Sequence, residues 1–337
     1  MLDLDISALT WTLTVALVVG LLAFDLLLGA LRPHKVGFGE AVGWTVFYVA
    51  VAVAFGTWFT MAHGSDYGTQ FFAGYLVEYS LSVDNLFVFV IILTTFAVPE
   101  AYQQKVLTFG IVLALAMRAV FIVAGAALLA AFTFVFLLFG LLLMFTAVQL
   151  FRHRDQDPDI EGNGVVRTAR RLLPVTDTYV QGKLVTRVDG RRTVTPLFIV
   201  LIAIGSIDLL FALDSIPAVF GVTEEAYIVF AANAFALMGL RALFFLVQGL
   251  LDRLVYLSTG LALILGFIGV KLVLHWMHED LSQHAPEIST PVSLAVIVVV
   301  LTVVTVASLI RTRQDPTAKA HAGTLLGEPA KENAERS

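Results

Sequence analysis

The strongest constraint on the fold of this chain is a series of long apolar segments. A helix that crosses the roughly 30 Å hydrocarbon core of a bilayer needs about 20 apolar residues. Nine segments meet that requirement: 9–31, 41–62, 70–97, 106–128, 131–151, 195–220, 226–249, 254–277 and 290–310. Only 14% of the 337 residues are charged, whereas soluble domains carry about 25%. The sequence therefore predicts an all-α, polytopic membrane protein with about nine transmembrane helices.

The positions of Lys and Arg predict how these spans are oriented. Eighteen of the 21 basic residues fall on one side of the nine-span arrangement, and the N-terminus and the even-numbered connections contain none. Because positively charged loops stay in the cytoplasm, we expect an outside N-terminus and a cytoplasmic C-terminus. The other three basic residues lie inside predicted spans: Arg118, Arg241 and Lys271.

Composition also excludes several classes of function. The net charge of −5 and the lack of a basic stripe argue against a nucleic-acid partner. Without cysteine there is no thiolate metal site, no disulfide and no Cys nucleophile. No nucleophile–base pairing or catalytic motif is visible, so we expect neither an enzyme nor a bound cofactor. The partners that remain are the lipid bilayer, a small solute and proteins that bind the loops.

The connection between the fifth and sixth spans is long and basic. It contains Pro158-Asp159, Gly162-Asn163-Gly164 and a turn signal at Asp189-Gly190 that favours a hairpin. We interpret it as a solvated linker with a small ordered patch, and a regulatory or partner-binding site is the alternative.

Spans three and six carry related acidic patterns. Glu78-Tyr-Ser-Leu-Ser-Val-Asp84-Asn85 aligns with Asp208-Leu-Leu-Phe-Ala-Leu-Asp214-Ser215, and the next span in each half contains Arg118-Ala-Val-Phe121 or Arg241-Ala-Leu-Phe244. Each repeat holds three spans, an odd number, so the second copy enters the membrane from the opposite side. Inverted repeats of this kind are typical of secondary transporters, which bind substrate near the midplane at the repeat interface.

This repeat divides the chain into six parts. We predict two N-terminal spans (1–69), a first three-helix repeat (70–152), a cytoplasmic loop (153–194), a second three-helix repeat (195–278), a last span (279–311) and a disordered cytoplasmic tail (312–337).

The charges inside the spans are the candidate functional residues. A charged group at the bilayer centre costs roughly 2.5–3.5 kcal/mol, so these groups should face the bundle interior and meet counter-charges or an ion. Helical periodicity puts Asp84 and Asp214 about 120° away from the first acid of each motif, and a local break, supplied in span six by Pro217, would bring the acids together. The in-span acids are Glu78, Asp84, Asp208 and Asp214, with Asp25 nearer a cytoplasmic end. The candidate counter-ion or gating residues are Asp25, Arg118, Arg241, Lys271 and Asn233.

Two interpretations of the acids stay open. Carboxylate, amide and hydroxyl oxygens are hard donors suited to Mg²⁺, Ca²⁺ or Mn²⁺, whereas structural ion pairing with the basic residues would need no ion. Asn233, polar and in the seventh span, is expected to form a helix–helix hydrogen bond. Outside the membrane, His275 and His278 are one turn apart near Glu279 and Asp280, which is compatible with a metal site or a solvated loop.

These motifs resemble the TerC family of bacterial membrane proteins. The resemblance covers roughly residues 20–275 and is carried by 74–85 and 208–218, with support from Met117-Arg118-Ala119, 173–177 and 239–242. It implies three-plus-three inverted repeats related to the LysE exporters, a place in the bacterial plasma membrane, and roles in tellurium resistance, manganese export and metal supply to exported proteins.

By that resemblance the metal would be held by Glu78, Asp84, Asn85, Asp208, Asp214 and Ser215. Two positions depart from the family pattern as we know it, because Gly205 stands where many relatives have an acid and Gln149 where many have Lys.

The sequence thus predicts a secondary transporter that exports a divalent cation, most simply Mn²⁺, through a midplane acidic site. A membrane scaffold of a metal- or tellurite-stress complex, with structural acids, is the alternative from another class. Export of an organic solute such as an amino acid is a third, based on the LysE relation alone.

Overall fold

The computed structural model describes residues 6–31, 37–153, 164–176, 178–180, 182–188, 191–248, 254–281 and 285–315, without the side chains of 25–31, 84, 87, 100, 188, 191, 241, 247 and 248. The elements along the chain are α1 (Ala8–Leu31), α2 (Phe38–His63), α3 (Ser65–Thr95), α4 (Glu100–Ala131), α5 (Phe134–Arg152), α6 (Gly164–Leu172), β1 (Val185–Val188), β2 (Arg191–Val194), α7 (Pro196–Phe220), α8 (Ala226–Met238), α9 (Leu240–Gln248), α10 (Leu257–Trp276), a π-helical segment (Met277–Leu281) and α11 (Thr290–Gln314).

This architecture confirms a mostly helical, multi-pass membrane protein. Among the described residues, seven helices are long and apolar enough to cross a bilayer: α2, α3, α4, α5, α7, α10 and α11. The two other apolar helices, Ala8–Phe24 within α1 and α8, are shorter. The described residues therefore support seven of the nine predicted spans by length. The seventh predicted span, 226–249, is divided into two shorter helices, α8 and α9, by an interruption at Gly239.

The predicted helix break at Pro217 is wrong. Helix α7 continues through Pro217 to Phe220, and α3 is unbroken from Ser65 to Thr95. Pro217 has no backbone N–H, so α7 lacks one hydrogen bond near its end. The helix nevertheless continues, and the N–H of Gly221 donates to the Pro217 carbonyl at 2.9 Å.

Helices α3 and α7 form an antiparallel pair at the centre of the bundle. Ala73 and Val77 near the start of α3 belong to one hydrophobic cluster with Ala218 near the end of α7. Leu86, further along α3, belongs to another cluster with Leu197 at the start of α7. The two helices that carry the acidic motifs therefore run past each other in opposite directions.

The other helices enclose this pair. Helix α8 packs on α3, α4 packs on α7, and α5 and α10 form the most extensive helix–helix contact. Glycines allow α5 and α10 to approach closely, since a Cβ on Gly140 would lie 2.8 Å from the Gly269 carbonyl and a Cβ on Gly269 would lie 2.8 Å from the Gly140 carbonyl. Small residues at such crossings are how membrane helices gain packing contacts.

A substitution at this crossing should destabilise the protein. Gly140→Ala forces a methyl group against the Gly269 carbonyl, which is backbone and cannot rotate away, so we expect a loss of about 1–3 kcal/mol of stability. Gly43→Ala is the matched control, because a Cβ on that exposed residue of α2 meets nothing within 4 Å and should stabilise by about 0.5 kcal/mol. Thermal unfolding of the purified variants in detergent measures both, and equal midpoints would contradict the close crossing.

The long connection is ordered and docked on the helices where the structure describes it. The predicted hairpin is confirmed by antiparallel β1 and β2, with Val188 opposite Arg191, although Asp189 and Gly190 lie outside the described residues. The Tyr179 hydroxyl donates to the Phe96 carbonyl at 2.6 Å, and Lys105 Nζ donates to the Gly182 carbonyl at 2.7 Å.

The Arg170 guanidinium adds a contact 5.2 Å above the Phe96 ring. The described part of this segment is therefore more ordered, and more closely packed on the helices, than the solvated-linker interpretation predicted. Residues 154–163, with Pro158-Asp159, lie outside the described part.

The predicted C-terminal tail begins slightly too early. Helix α11 extends to Gln314, so residues 312–314 of the predicted tail are helical. Its last turns carry Arg311 and Arg313, and polar residues of this kind commonly extend a membrane helix beyond the apolar segment. Residues 316–337 lie outside the described part of the chain.

Candidate cation site

The centre of the bundle holds a buried network of charged groups around Arg118. This arginine comes from α4 and is fully buried together with Glu78 of α3, while Asp208 of α7 is 2% exposed. Arg118 Nη1 donates to Glu78 Oε1 and, at 3.2 Å, to the Ser215 hydroxyl. Arg118 Nη2 donates to Asp208 Oδ1 at 3.3 Å. One guanidinium thus joins the first acids of both sequence motifs.

Two further polar side chains of α3 complete the network. In the amide orientation that satisfies both neighbours, the Asn85 side-chain oxygen accepts from Arg118 Nη2 at 3.2 Å and its nitrogen donates to the Leu81 carbonyl at 3.1 Å. The Ser82 hydroxyl donates weakly to Glu78 Oε1 at 3.4 Å. The seven-residue spacing of Glu78 and Asn85 places both on the face of α3 that meets Arg118.

The network leaves several polar atoms without a partner. Within the part of the chain that the structure describes, Glu78 Oε2, Asp208 Oδ2 and Arg118 Nε are buried and accept or donate no hydrogen bond. A buried charged group without full hydrogen bonding is costly. Two carboxylates and one guanidinium also sum to a charge of −1 at this place in the membrane.

Asp214 is not part of the Arg118 network. It is 8% exposed, and its Oδ1 accepts a hydrogen bond from the Thr146 hydroxyl of α5 at 2.9 Å. The continuous helix explains the separation, since residues six apart on α7 point about 120° away from each other. The prediction that a break would bring Asp208 and Asp214 together is therefore wrong.

Thr146, like Ser82, is a polar residue of this region that was not predicted from the sequence. It is buried and is one of few polar residues in the apolar segment 134–150. That isolation was the available signal. A threonine in a membrane helix usually bonds its own backbone, as Thr146 also does with Leu142, so the signal was weak.

The remaining predicted residues divide into two groups. The side chains of Asp25, Asp84 and Arg241 lie outside the description, so their predicted roles stay predictions. Asn233 is buried on α8, and its Nδ2 has no hydrogen-bond partner within the described ranges, so its predicted helix–helix hydrogen bond stays a prediction.

Lys271 lies away from the Arg118 network, beside a pocket that we call the mouth pocket. This cavity of about 570 Å³ lies where α3 begins and α7 and α10 end. Its acidic and basic lining residues are Asp66, Glu224, Glu225, Lys271, His275 and Glu287. Phe220 and Gly221 also line it, so the pocket begins about two helical turns beyond Asp214.

The predicted His275–His278 pair does not converge on one ligand. His275 lies 3.2 Å from Glu224 and 3.5 Å from Glu287, whereas His278 Nδ1 contacts the Ala285 carbonyl at 2.9 Å. The π-helical segment that begins at Met277 shifts the register between the two rings. Among the described side chains, no group of three His, Asp or Glu residues is arranged to hold a metal ion.

Fold and site together define a multi-pass membrane protein with buried, paired charges at its centre. The family model "Integral membrane protein TerC family" matches residues 63–316. The chain belongs to the TerC family, as its two acidic motifs predict.

Individual relatives agree with this assignment. An uncharacterized membrane protein of Mycobacterium bovis is 45% identical over 90% of this chain and 79% of its own length. The chloroplastic thylakoid membrane protein TERC of Arabidopsis thaliana is 44% identical over 70% of this chain and 62% of its own. A Salmonella typhi protein called a membrane-bound redox modulator, Alx, is 36% identical over 80% and 86%. No solved structure matches this chain.

Proposed function

We propose that this protein is a secondary transporter that exports a hard divalent cation, with Mn²⁺ as its substrate, across the bacterial plasma membrane. The observation that carries this proposal is the meeting of Glu78 and Asp208, from two antiparallel helices, at one buried point. Carboxylates inside a membrane are expensive and mark ion or proton pathways. Their convergence from two related motifs is difficult to explain by packing alone.

The packing pattern supports an inverted repeat. If α3, α4 and α5 correspond to α7, α8–α9 and α10, exchanging the two sets turns the α3–α8 contact into the α7–α4 contact, and both exist. The same exchange maps the α3–α7 and α5–α10 contacts onto themselves, and both of these contacts exist. Rocking of one repeat against the other would then open the central site to each side in turn.

The donor atoms favour a hard cation. Glu78, Asp208, Asn85 and Ser215 offer carboxylate, amide and hydroxyl oxygens, which are the ligands that Mg²⁺, Ca²⁺ and Mn²⁺ prefer. The chain offers no thiolate to a soft metal, because it has no cysteine. Mn²⁺ is chosen among the hard cations on the resemblance to TerC proteins implicated in manganese export.

An acidic route toward the outside accompanies the central site. In the orientation predicted from Lys and Arg, the mouth pocket with Asp66, Glu224 and Glu287 faces outward. Asp214 directly precedes Ser215 of the central network on α7, about two helical turns before Phe220 and Gly221 of that pocket. Protonation and deprotonation of these carboxylates would couple export to proton entry.

A membrane scaffold is the second candidate function. The observation in its favour is that Arg118 already neutralises part of the acidic charge, as a purely structural ion pair would. The docked connection supplies a surface for partners. A redox role like the one in the Salmonella relative's name would need chemistry other than thiol–disulfide exchange in this cysteine-free chain.

Transport by the purified full-length chain in liposomes separates the two functions. We expect Mn²⁺ flux through the wild-type protein, and a drop of about 100-fold in Asp208→Asn because the isosteric amide removes a ligand charge worth about 2.7 kcal/mol. Arg313→Gln, on the exposed end of α11, is the matched control and should keep full flux. Equal, background-level flux in all three preparations would favour the scaffold.

A further inference from the structure

We propose that the guanidinium of Arg118 occupies the place of the transported cation and leaves it when the cation binds. In this view Arg118 is a substrate mimic tethered to α4, and each transport cycle exchanges it with the ion. The inference rests on the proposed function, because it concerns how the same central site is filled.

The surroundings of the guanidinium resemble those of a coordinated ion. Arg118 contacts oxygens of four residues on two antiparallel helices: Glu78, Asn85, Asp208 and Ser215. These oxygens belong to carboxylate, amide and hydroxyl groups, the set that a hard divalent cation selects. Their convergence on one point of a fully buried cation therefore builds a cage that suits either occupant.

The fit of the guanidinium to this cage is incomplete. A structural Arg–carboxylate pair is commonly bidentate, with two parallel N–H···O bonds. Here each carboxylate gives Arg118 one oxygen, and Glu78 Oε2 and Asp208 Oδ2 have no partner within the described residues. Arg118 Nε is likewise unbonded there. Two free anionic oxygens beside the guanidinium are the ligands that a replacing cation would gain.

Charge balance requires that the cation replace the Arg118 guanidinium in the cage rather than bind beside it. A divalent cation between Glu78 and Asp208 neutralises both carboxylates. Retaining Arg118 in the same cage would bring like charges together in a medium of low dielectric, where their repulsion is strong. Arg118 must therefore move when the cation arrives.

Asp214 is the counter-charge that the displaced arginine can use. It directly precedes Ser215, which Arg118 already contacts, and its described partner is the neutral Thr146. When the cation leaves, Arg118 returns to Glu78 and Asp208, so that the empty carrier never holds two bare carboxylates in the membrane. The exchange thus lowers the cost of the ion-free state.

Direct Mn²⁺ binding to the purified full-length protein tests this inference. If Arg118 vacates the cage only about a tenth of the time, its removal tightens apparent binding about tenfold. We expect this gain in Arg118→Gln and a smaller gain in Arg118→Lys, whose single ammonium cannot reach all four ligands at once. Arg313→Gln is the control and should bind as the wild type does. Titration followed by the electron paramagnetic resonance of free Mn²⁺ gives the affinities.

The outcomes separate this inference from the proposed function. Should Arg118→Gln not fold, Arg118→Lys carries the test, and tighter binding than wild type supports the exchange. A folded Arg118 variant that binds Mn²⁺ no more tightly than a transporting wild type overturns the exchange alone. Failure of Mn²⁺ binding in the wild type and in both Arg118 variants overturns the proposed function and the exchange with it.

Discussion

Glu78→Gln is expected to lower the free energy of unfolding by about 1.5–3 kcal/mol, because the buried Arg118 loses its charge-assisted hydrogen bond to the Glu78 carboxylate. Glu78 and Arg118 are both fully buried, and Glu78 Oε1 accepts from Arg118 Nη1 and Ser82. In the variant, Asp208 would be the remaining described carboxylate on Arg118. Unfolding of the purified protein in mixed micelles, followed by tryptophan fluorescence, measures the loss.

A double-mutant cycle separates the interaction between Glu78 and Arg118 from the effect of each substitution alone. Glu78→Gln/Arg118→Gln removes both charges, so we expect the double variant to be more stable than the sum of the two single losses predicts, by about 1–3 kcal/mol. Ser82→Ala is the control, one turn further along α3, since it removes only the weak 3.4 Å contact. Additive losses in the cycle would show that Glu78 and Arg118 do not interact as described.

Asp214→Asn is expected to reduce Mn²⁺ flux about 100-fold, equivalent to about 2.7 kcal/mol, with little change in stability. The reason is that Asp214 takes no part in the Arg118 network among the described residues, and Thr146 can still donate to the asparagine oxygen. The loss therefore comes from the missing charge along the path rather than from a broken ion pair.

Flux in liposomes and thermal midpoint in detergent are measured on the same Asp214 preparation. Thr146→Val is the companion variant, because it removes the hydrogen bond but keeps the charge. It should retain most of the flux. Full flux in Asp214→Asn would exclude this carboxylate from the transport path.

Much of the fold followed from local sequence patterns. Apolar segment length predicted the helices, and the Asp189-Gly190 turn predicted the hairpin of β1 and β2. These features depend on the residues of one segment, so a single sequence carries them. The interruption at Gly239 escaped prediction because glycine is common in membrane helices, and the contact that accompanies it, with Tyr48 of α2, is distant in the sequence.

Part of the buried network was expected from the sequence, but its pairing was not. The cost of charge in the membrane predicted that Glu78 and Asp208 face inward and meet a counter-charge such as Arg118, and these three side chains are buried together. Which arginine meets which acid depends on the packing of α4 between other helices, and no local rule gives it. For the same reason, the Thr146 bond to Asp214 and the pairing of His275 with Glu224 and Glu287 were not foreseen.

In the proposed function, two antiparallel acidic helices form one cage for a hard cation. This cage can be observed by anomalous diffraction at the manganese edge, from crystals of the full-length protein grown with Mn²⁺. We expect a peak between α3 and α7 within about 2.0–2.6 Å of carboxylate oxygens of Glu78 and Asp208, with the Arg118 guanidinium moved away from both. A peak confined to the surface, with Arg118 still bonded to both acids in a protein saturated with Mn²⁺, would contradict it.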